Sequence, residues 1–122
     1  MGLNSQEVAY QFGQMGSVFN NTVSAITPPT GKVFVAITFL TNTTLHTTNG
    51  LVADNDAAAG LEYIGDTTAA HDITVGSETT STGGGGKAVV TATVFPAGVT
   101  IYGRWTKVTT VTSGQYIAYI GD

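Results

Sequence analysis

The alternation of apolar side chains along residues 32–40 predicts a β-strand that is covered on both faces. Successive side chains of a strand point to opposite sides. The two predicted faces are Val33, Val35, Ile37 and Phe39 on one side, and Phe34, Ala36, Thr38 and Leu40 on the other. Both sets are mostly apolar, which is typical of a strand in the middle of a sheet, buried by the rest of the fold or by a partner subunit.

Short segments rich in threonine, valine and isoleucine predict further strands, because β-branched side chains suit a pleated surface. The predicted strands cover residues 61–64, 72–75, 88–95, 100–111 and 115–120. Within 100–111, alternation places Trp105 on one face and Val108 on the other. Ser113 and Gly114 predict a hairpin turn joining the last two strands. Frequent short strands and turns favour an all-β fold, a single-domain β-sandwich or a jelly-roll-like barrel.

The first twenty residues differ in character from the rest of the chain. Their apolar side chains fit a strand face, and two glycines disfavour a helix. The apolar positions concerned are Val8, Tyr10 and Phe12. We therefore predict an extended N-terminal arm, residues 1–20, and a β-sandwich domain, residues 21–122. Within that domain, residues 41–59 predict a long loop set or irregular edge, and residues 77–86 predict a flexible loop.

The charge content indicates a protein that works within an assembly. The chain has 122 residues, with four basic and eight acidic side chains and a net charge of −4. Charged residues make up 10% of the chain, against roughly 25% in ordinary soluble domains, so like-charge repulsion between copies is weak. The basic residues are scattered, which argues against binding of nucleic acid. There are no cysteines, so no disulfide or thiolate chemistry is expected.

Nothing in the sequence predicts a membrane partner. The first residues carry neither a basic segment nor an apolar run, so we expect no secretory signal. The longest apolar stretch, residues 33–40, is far shorter than the roughly eighteen residues of a membrane-spanning helix.

Candidate phosphate-binding and metal-binding motifs are incomplete. The glycine run at residues 83–86 has Ser81 where a phosphate-binding loop needs its first glycine, and Ala88 follows its lysine. The acidic start at residues 54–56 resembles a calcium loop, but Ala59 stands at the required glycine and Gly65 at the bidentate acid. An irregular metal site with oxygen ligands at residues 54–56 is the alternative, but we predict no bound metal and no cofactor.

No catalytic constellation is evident in the sequence either. His46 and His71 are far apart, and the adjacent Asp72 would point to the opposite face of a strand from His71. Glu62 and Asp66 are close in sequence but show no convergence on a cleft. There is no nucleophile elbow. We therefore predict that the protein is not an enzyme.

Four aromatic residues cluster in the last two predicted strands: Tyr102, Trp105, Tyr116 and Tyr119. Exposed tyrosine and tryptophan rings form a platform on which a sugar ring can stack. The same residue types are also enriched in cores and subunit interfaces. Both interpretations stay open at this stage.

Two parts of the chain resemble small structural proteins of tailed bacteriophages, particularly those of marine phages. The resembling residues are 26–40 and, towards the C-terminus, 95–106 with 114–121, about a third of the chain. The resemblance implies a head decoration (cement) protein or a knob subunit, without catalytic residues. Such proteins are often homotrimers.

The resemblance also implies where the protein acts and with what. It would be made in the host bacterial cytoplasm, reside in the virion, and contact the phage major capsid protein or another virion protein. The arm residues Val8, Tyr10 and Phe12 would then contact the capsid or a neighbouring subunit.

The alternative function is a carbohydrate- or receptor-binding β-sandwich module, such as a fibre tip, with Tyr102 and Trp105 among its stacking residues.

Overall fold

The computed structural model describes residues 15–46, 50–54, 64, 89, 92–112 and 114–122. Across these residues the chain forms seven strands and no helix, which confirms the prediction of an all-β fold. The strands are β1 (Ser17–Asn20), β2 (Val33–Phe39), β3 (Thr43–Thr44), β4 (Leu51–Ala53), β5 (Val94–Phe95), β6 (Thr100–Val108) and β7 (Tyr116–Gly121).

Five of the strands form one antiparallel sheet in the order β1-β7-β2-β6-β4. The apolar strand β2 lies in its middle, as its sequence pattern predicts. Strands β3 and β5 form a second, two-stranded sheet in which Thr43 lies opposite Phe95. The Phe39 ring of β2 stacks on the Phe95 ring of β5 with 4.8 Å between ring centroids, which joins the two sheets.

The predicted hairpin between the last two strands is wrong, because β2 lies between β6 and β7. The chain after β6 instead runs along the second sheet. His46 donates its backbone N–H to Thr109, and Val111 donates to Thr44. Strand β2 is the most apolar segment, and the central position buries it while both of its backbone edges stay hydrogen-bonded.

A register shift between Phe34 and Ala36 changes which side chains of β2 share a face. Phe34 pairs with Ile120 and Ala36 with Tyr119, so Val35 is an extra residue relative to β7, as in a β-bulge. Phe34 therefore packs in the core together with Ile37 and Phe39. The predicted division of β2 into two strictly alternating faces is wrong for this reason.

A second shift, in the pairing of β4 with β6, has the same consequence. Val52 pairs with Lys107 but Ala53 pairs with Trp105. The odd spacing of Trp105 and Val108 would separate them in a regular strand, yet both lie in the core. The predicted assignment of these two residues to opposite faces is therefore wrong.

The core lies on one face of the five-stranded sheet, where Leu45 and Phe95 of the second-sheet region pack against it. Its buried members are Phe34, Ile37, Phe39, Leu45, Leu51, Trp105, Val108, Tyr116 and Ala118. Fully burying a large apolar side chain stabilises a fold by about 1.5–3 kcal/mol, so this cluster is the main source of stability. The indole N–H of Trp105 donates to the Ile64 carbonyl at 2.7 Å, which satisfies the buried donor.

Several predicted boundaries shift in the structure. The sheet begins before residue 21, because Ser17–Asn20 pair with β7. The segment 41–59, predicted as loop or irregular edge, contributes β3 and β4. Of the predicted strand 88–95, residues 94 and 95 form β5, residues 89, 92 and 93 are not in a strand, and residues 88, 90 and 91 lie outside the described residues.

Other predictions fall mainly on residues that the structure does not describe. The predicted strand 72–75, the loop 77–86 and residues 61–63 of the strand 61–64 lie outside the described residues, as do the three apolar arm residues Val8, Tyr10 and Phe12.

Candidate functional site: the outer face of the five-stranded sheet

The five-stranded sheet has a second face, opposite its core, which we call the outer face; its side chains range from buried (Ala36) to exposed (Phe19 and Tyr102). In β7 the side chains of Tyr116 and Ala118 are buried in the core, so alternation places Ile117 and Tyr119 on the outer face. Strand register then defines two rows of neighbours across the sheet. The first row is Phe19, Ile117, Thr38 and Thr100, and the second is Ser17, Tyr119, Ala36 and Tyr102.

In the second row, a small side chain separates two tyrosines. Ala36 of β2 pairs with Tyr119 of β7 on one side and with Tyr102 of β6 on the other. Ala36 is only 1% exposed, so its short side chain forms a covered floor between the two aromatic side chains. A depression of about 310 Å³ at this place is lined by Ala36, Thr38, Thr100, Tyr102 and Tyr119. We call these five residues the tyrosine slot.

The lining of the tyrosine slot is uncharged and rich in hydroxyl groups. Four of its five residues carry a hydroxyl, and none carries a charge. The hydroxyl oxygens of Thr38 and Thr100 lie 2.8 Å apart and share a hydrogen bond. Tyr102 is 63% exposed, so its ring is accessible from solvent. The slot therefore combines aromatic surface with groups that both donate and accept hydrogen bonds.

The other end of the outer face is apolar. Phe19 of the edge strand β1 is 55% exposed and pairs with Ile117. Leu40, directly after β2, is also exposed, and alternation from the buried Phe39 places it on the same face. We call Phe19, Ile117 and Leu40 the apolar end. Contiguous exposed apolar residues commonly mark a contact surface.

Four charged residues from four neighbouring strands pair with one another: Lys32 before β2, Asp54 after β4, Arg104 in β6 and Asp122 after β7. The Nε and Nη2 atoms of Arg104 donate to Asp54 Oδ2 at 3.3 and 3.2 Å, and Nη1 donates to the Asp122 carbonyl at 2.6 Å. Lys32 forms an ion pair with the Asp122 side chain. The ion-pair cluster is neutral in its side chains, so it offers no net charge to a ligand.

The structure separates the four aromatic residues singled out in the sequence. Trp105 and Tyr116 are fully buried in the core, where neither ring can stack on a sugar. Tyr102 and Tyr119 lie on the outer face and line the same slot. Sequence reasoning missed Ala36, Thr38 and Thr100, because the cross-strand register that brings them to these tyrosines is not readable from local pattern.

Tyr116 has a structural environment rather than a catalytic one. Its hydroxyl accepts a hydrogen bond from Asn20 Nδ2 at 2.9 Å, and Asn20 Oδ1 in turn accepts from the backbone N–H and the hydroxyl of Thr22. Burial raises the pKa of the Tyr116 phenol above its ordinary value of 10.0, while the hydrogen bond from Asn20 partly lowers it. The phenol therefore stays protonated and ties β1 to β7.

The described part of the chain holds no group of three or more histidine, cysteine or acidic side chains that could bind a metal. Asp54, the first residue of the calcium-loop candidate, pairs with Arg104. The rest of that candidate, together with His71, Glu62 and the glycine run at 83–86, lies outside the described residues. His46 is described and exposed at the end of the second sheet.

Comparison of the chain with protein-family models, curated proteins and solved structures found no significant match. Among the described residues no helix has the length and apolar character needed to cross a membrane.

Proposed function

We propose that this protein is a non-enzymatic structural subunit of a tailed-phage particle, a head decoration or knob subunit, that associates with copies of itself through the apolar end of its outer face. The observation that carries the proposal is the exposure of Phe19, on the edge strand β1, and of Leu40, with Ile117 of β7 beside Phe19 on the same face. A second copy of the chain is the occupant that we assign to this surface.

Association would bury an exposed phenylalanine and a strand edge that is unpaired in the described part of the chain, and only weak charge repulsion would oppose it. Phe19 belongs to β1, whose outer edge pairs with no other strand among the described residues. Covering such an edge removes a site of uncontrolled pairing, and covering an exposed phenylalanine removes apolar surface from water at about 25 cal/mol per Å². With 10% charged residues, repulsion between copies is small.

The assignment to a phage particle rests on the resemblance described above. The resembling segments correspond to β2, to β5 with β6, and to β7, so the resemblance covers the three central strands of the sheet. In this role the subunit would be a homotrimer and would contact the major capsid protein or another virion protein. By binding only the assembled shell, it would stabilise that shell through mass action.

The oligomeric state tests the self-association. Light scattering after gel filtration should give three times the chain mass of 12.5 kDa for the wild type. Phe19→Ser should reduce that mass, whereas Val94→Ser should leave it unchanged, since Val94 is similarly exposed (51%) but lies in β5 of the second sheet. Circular dichroism checks that both variants keep their strands. A wild-type monomer at high micromolar concentration, or a mass unaffected by Phe19→Ser, contradicts the proposed interface.

Co-sedimentation with phage heads that lack this subunit tests the virion role. The wild type should sediment with the heads at saturable stoichiometry, and an unrelated β-protein of similar charge should not. Failure to bind any intact or expanded head would contradict the role as a decoration subunit.

A further inference from the structure

We propose that the tyrosine slot is a carbohydrate-binding site in which one neutral hexose ring packs against the side chains of Tyr102 and Tyr119, next to the hydroxyl groups of Thr38 and Thr100. The proposal goes beyond the subunit role, because it assigns a ligand to a different part of the outer face.

The strand order brings the two tyrosines within reach of one sugar ring. Neighbouring strands lie about 4.8 Å apart, so β6 and β7, which flank β2 on either side, are about 10 Å apart at the level of Ala36. Ala36 itself is only 1% exposed. A ligand in the depression therefore contacts the tyrosine side chains and the threonine hydroxyls rather than the Ala36 side chain.

The depression is of the right size for a small ligand. Its volume of about 310 Å³ lies at the lower end of the roughly 300–1,000 Å³ range of small-molecule sites. Such a volume suits one sugar unit of a longer chain, because the depression is open and the neighbouring units can extend along the sheet surface.

The chemistry of the lining selects a neutral, polyhydroxylated ligand. A hexose has an apolar face of C–H groups that packs on an aromatic ring, and hydroxyl groups at its rim that donate and accept hydrogen bonds. The lining of the slot presents both complements, the aromatic side chains of Tyr102 and Tyr119 and the Thr38–Thr100 hydroxyl pair. A sugar hydroxyl can join this pair without leaving a polar group unsatisfied.

Other ligand classes fit the same lining less well. A phosphate or carboxylate would find no cation among the five lining residues. An apolar peptide side chain would cover the Thr38–Thr100 pair, in which one hydroxyl donates to the other and the accepting hydroxyl still needs an acceptor for its own proton. Leaving a buried hydroxyl unsatisfied costs about 1–3 kcal/mol. The hydroxyl-rich lining thus favours the sugar.

Sugar binding is compatible with the proposed self-association. The two surfaces adjoin where Thr38 of the slot pairs with Ile117 of the apolar end. From there the slot extends over β2 and β6 to Tyr102, and the apolar end extends to Phe19 on β1. An oligomer formed through Phe19 would present several slots at once, and multivalent display strengthens the binding of weak individual sites.

Saturation-transfer NMR on the full chain tests the slot, with the methyl glycosides of glucose, galactose and N-acetylglucosamine as probes at millimolar concentration. At least one probe should receive saturation, strongest at the C–H protons of one ring face. Tyr102→Ala should weaken its binding about tenfold, which is the effect expected for loss of one aromatic stacking partner. Tyr119→Ala, which removes the other aromatic side chain of the slot, should also weaken binding.

Matched variants test whether sugar binding depends on the tyrosine slot or on the protein surface in general. Thr38→Val keeps the side-chain shape but removes a hydroxyl, and should weaken binding several-fold. Val94→Ala, on the second sheet, should leave it unchanged. The fluorescence of Trp105, the single tryptophan, reports whether each variant is folded. If Tyr119→Ala does not fold, the variant of the exposed Tyr102 decides the question.

The outcomes distinguish this proposal from the subunit role. Absence of saturation transfer to all three glycosides, or equal binding by wild type and Tyr102→Ala, overturns the slot while a trimer sensitive to Phe19→Ser still supports self-association. Slot-dependent binding by a monomeric protein supports the slot and contradicts the proposed self-association.

Discussion

The side-chain amide of Asn20 donates a 2.9 Å hydrogen bond to the hydroxyl of Tyr116, across 96 positions of the sequence. Asn20 is buried in the edge strand β1, and Tyr116 is fully buried at the start of β7. The bond satisfies a phenol that would otherwise be enclosed by Phe39 and its apolar neighbours. It therefore couples the attachment of β1 to the integrity of the core.

Asn20→Leu should destabilise the fold by about 1–3 kcal/mol, because the Tyr116 hydroxyl then stays buried without a partner. Urea unfolding followed by Trp105 fluorescence measures the change. The double variant Asn20→Leu with Tyr116→Phe should recover part of the loss, since both polar partners are gone. If the two single changes are additive, the hydrogen bond contributes no coupling energy.

The raised pKa of Tyr116 predicts a loss of stability at alkaline pH. Its pKa in the folded protein lies above the ordinary value of 10.0 that applies to the unfolded chain. Above pH 10 the unfolded state therefore loses this proton first and is favoured. The stability that this pKa difference of Tyr116 contributes is fully present below pH 10 and is lost as the pH rises through the pKa of the folded state.

The free energy of unfolding, measured in urea between pH 8 and pH 11, should fall more steeply in wild type than in Tyr116→Phe. Phenolate absorbance of the folded protein should show one tyrosine fewer titrating near pH 10 in the wild type than in urea. Identical pH dependence of stability in the two proteins would contradict the raised pKa.

Gly103→Ala should destabilise the fold by about 1–3 kcal/mol, the usual cost of overpacking a core. A Cβ atom at Gly103 would lie 2.6 Å from the Trp105 ring atom Cζ2. Trp105 is completely buried, so its ring has little room to move. Thermal unfolding and the emission maximum of Trp105 measure the effect. Val94→Ala, on the exposed side of the second sheet, serves as the control and should stay within about 0.5 kcal/mol of wild type.

Arg104→Lys should weaken the ion-pair cluster despite keeping the positive charge. The guanidinium holds Asp54 through two nitrogens and the Asp122 carbonyl through a third, whereas a lysine ammonium cannot reproduce this fork. Because Arg104 and Asp54 are about one-third exposed, we expect a loss of no more than about 1 kcal/mol.

Lys32→Gln should cost less than Arg104→Lys, since its partner Asp122 has a side chain that is 71% exposed. Urea unfolding at low salt and at 0.5 M salt compares the two variants. The difference between Arg104→Lys and wild type should shrink at high salt if charge attraction dominates. A difference independent of salt would assign the effect to hydrogen-bond geometry instead.

The sequence by itself determined the all-β class and the central strand. The alternation of β-branched and aromatic residues is a local property, and the two-sided apolar character of residues 33–39 leaves that segment no exposed position. The tyrosines at 102 and 119 were also found from sequence, as members of a larger aromatic set that included Trp105 and Tyr116.

Only the tertiary structure decided which side chains share a face and which strands are neighbours. The extra residue Val35 reverses the alternation of β2 and brings Phe34 into the core, and β2 inserts between β6 and β7 although a turn sequence lies between those two strands. Both outcomes follow from long-range pairing, in which the burial of β2 outweighs local turn preference. The tyrosine slot exists for the same reason: Tyr102, Ala36 and Tyr119 come from three strands and meet only through register.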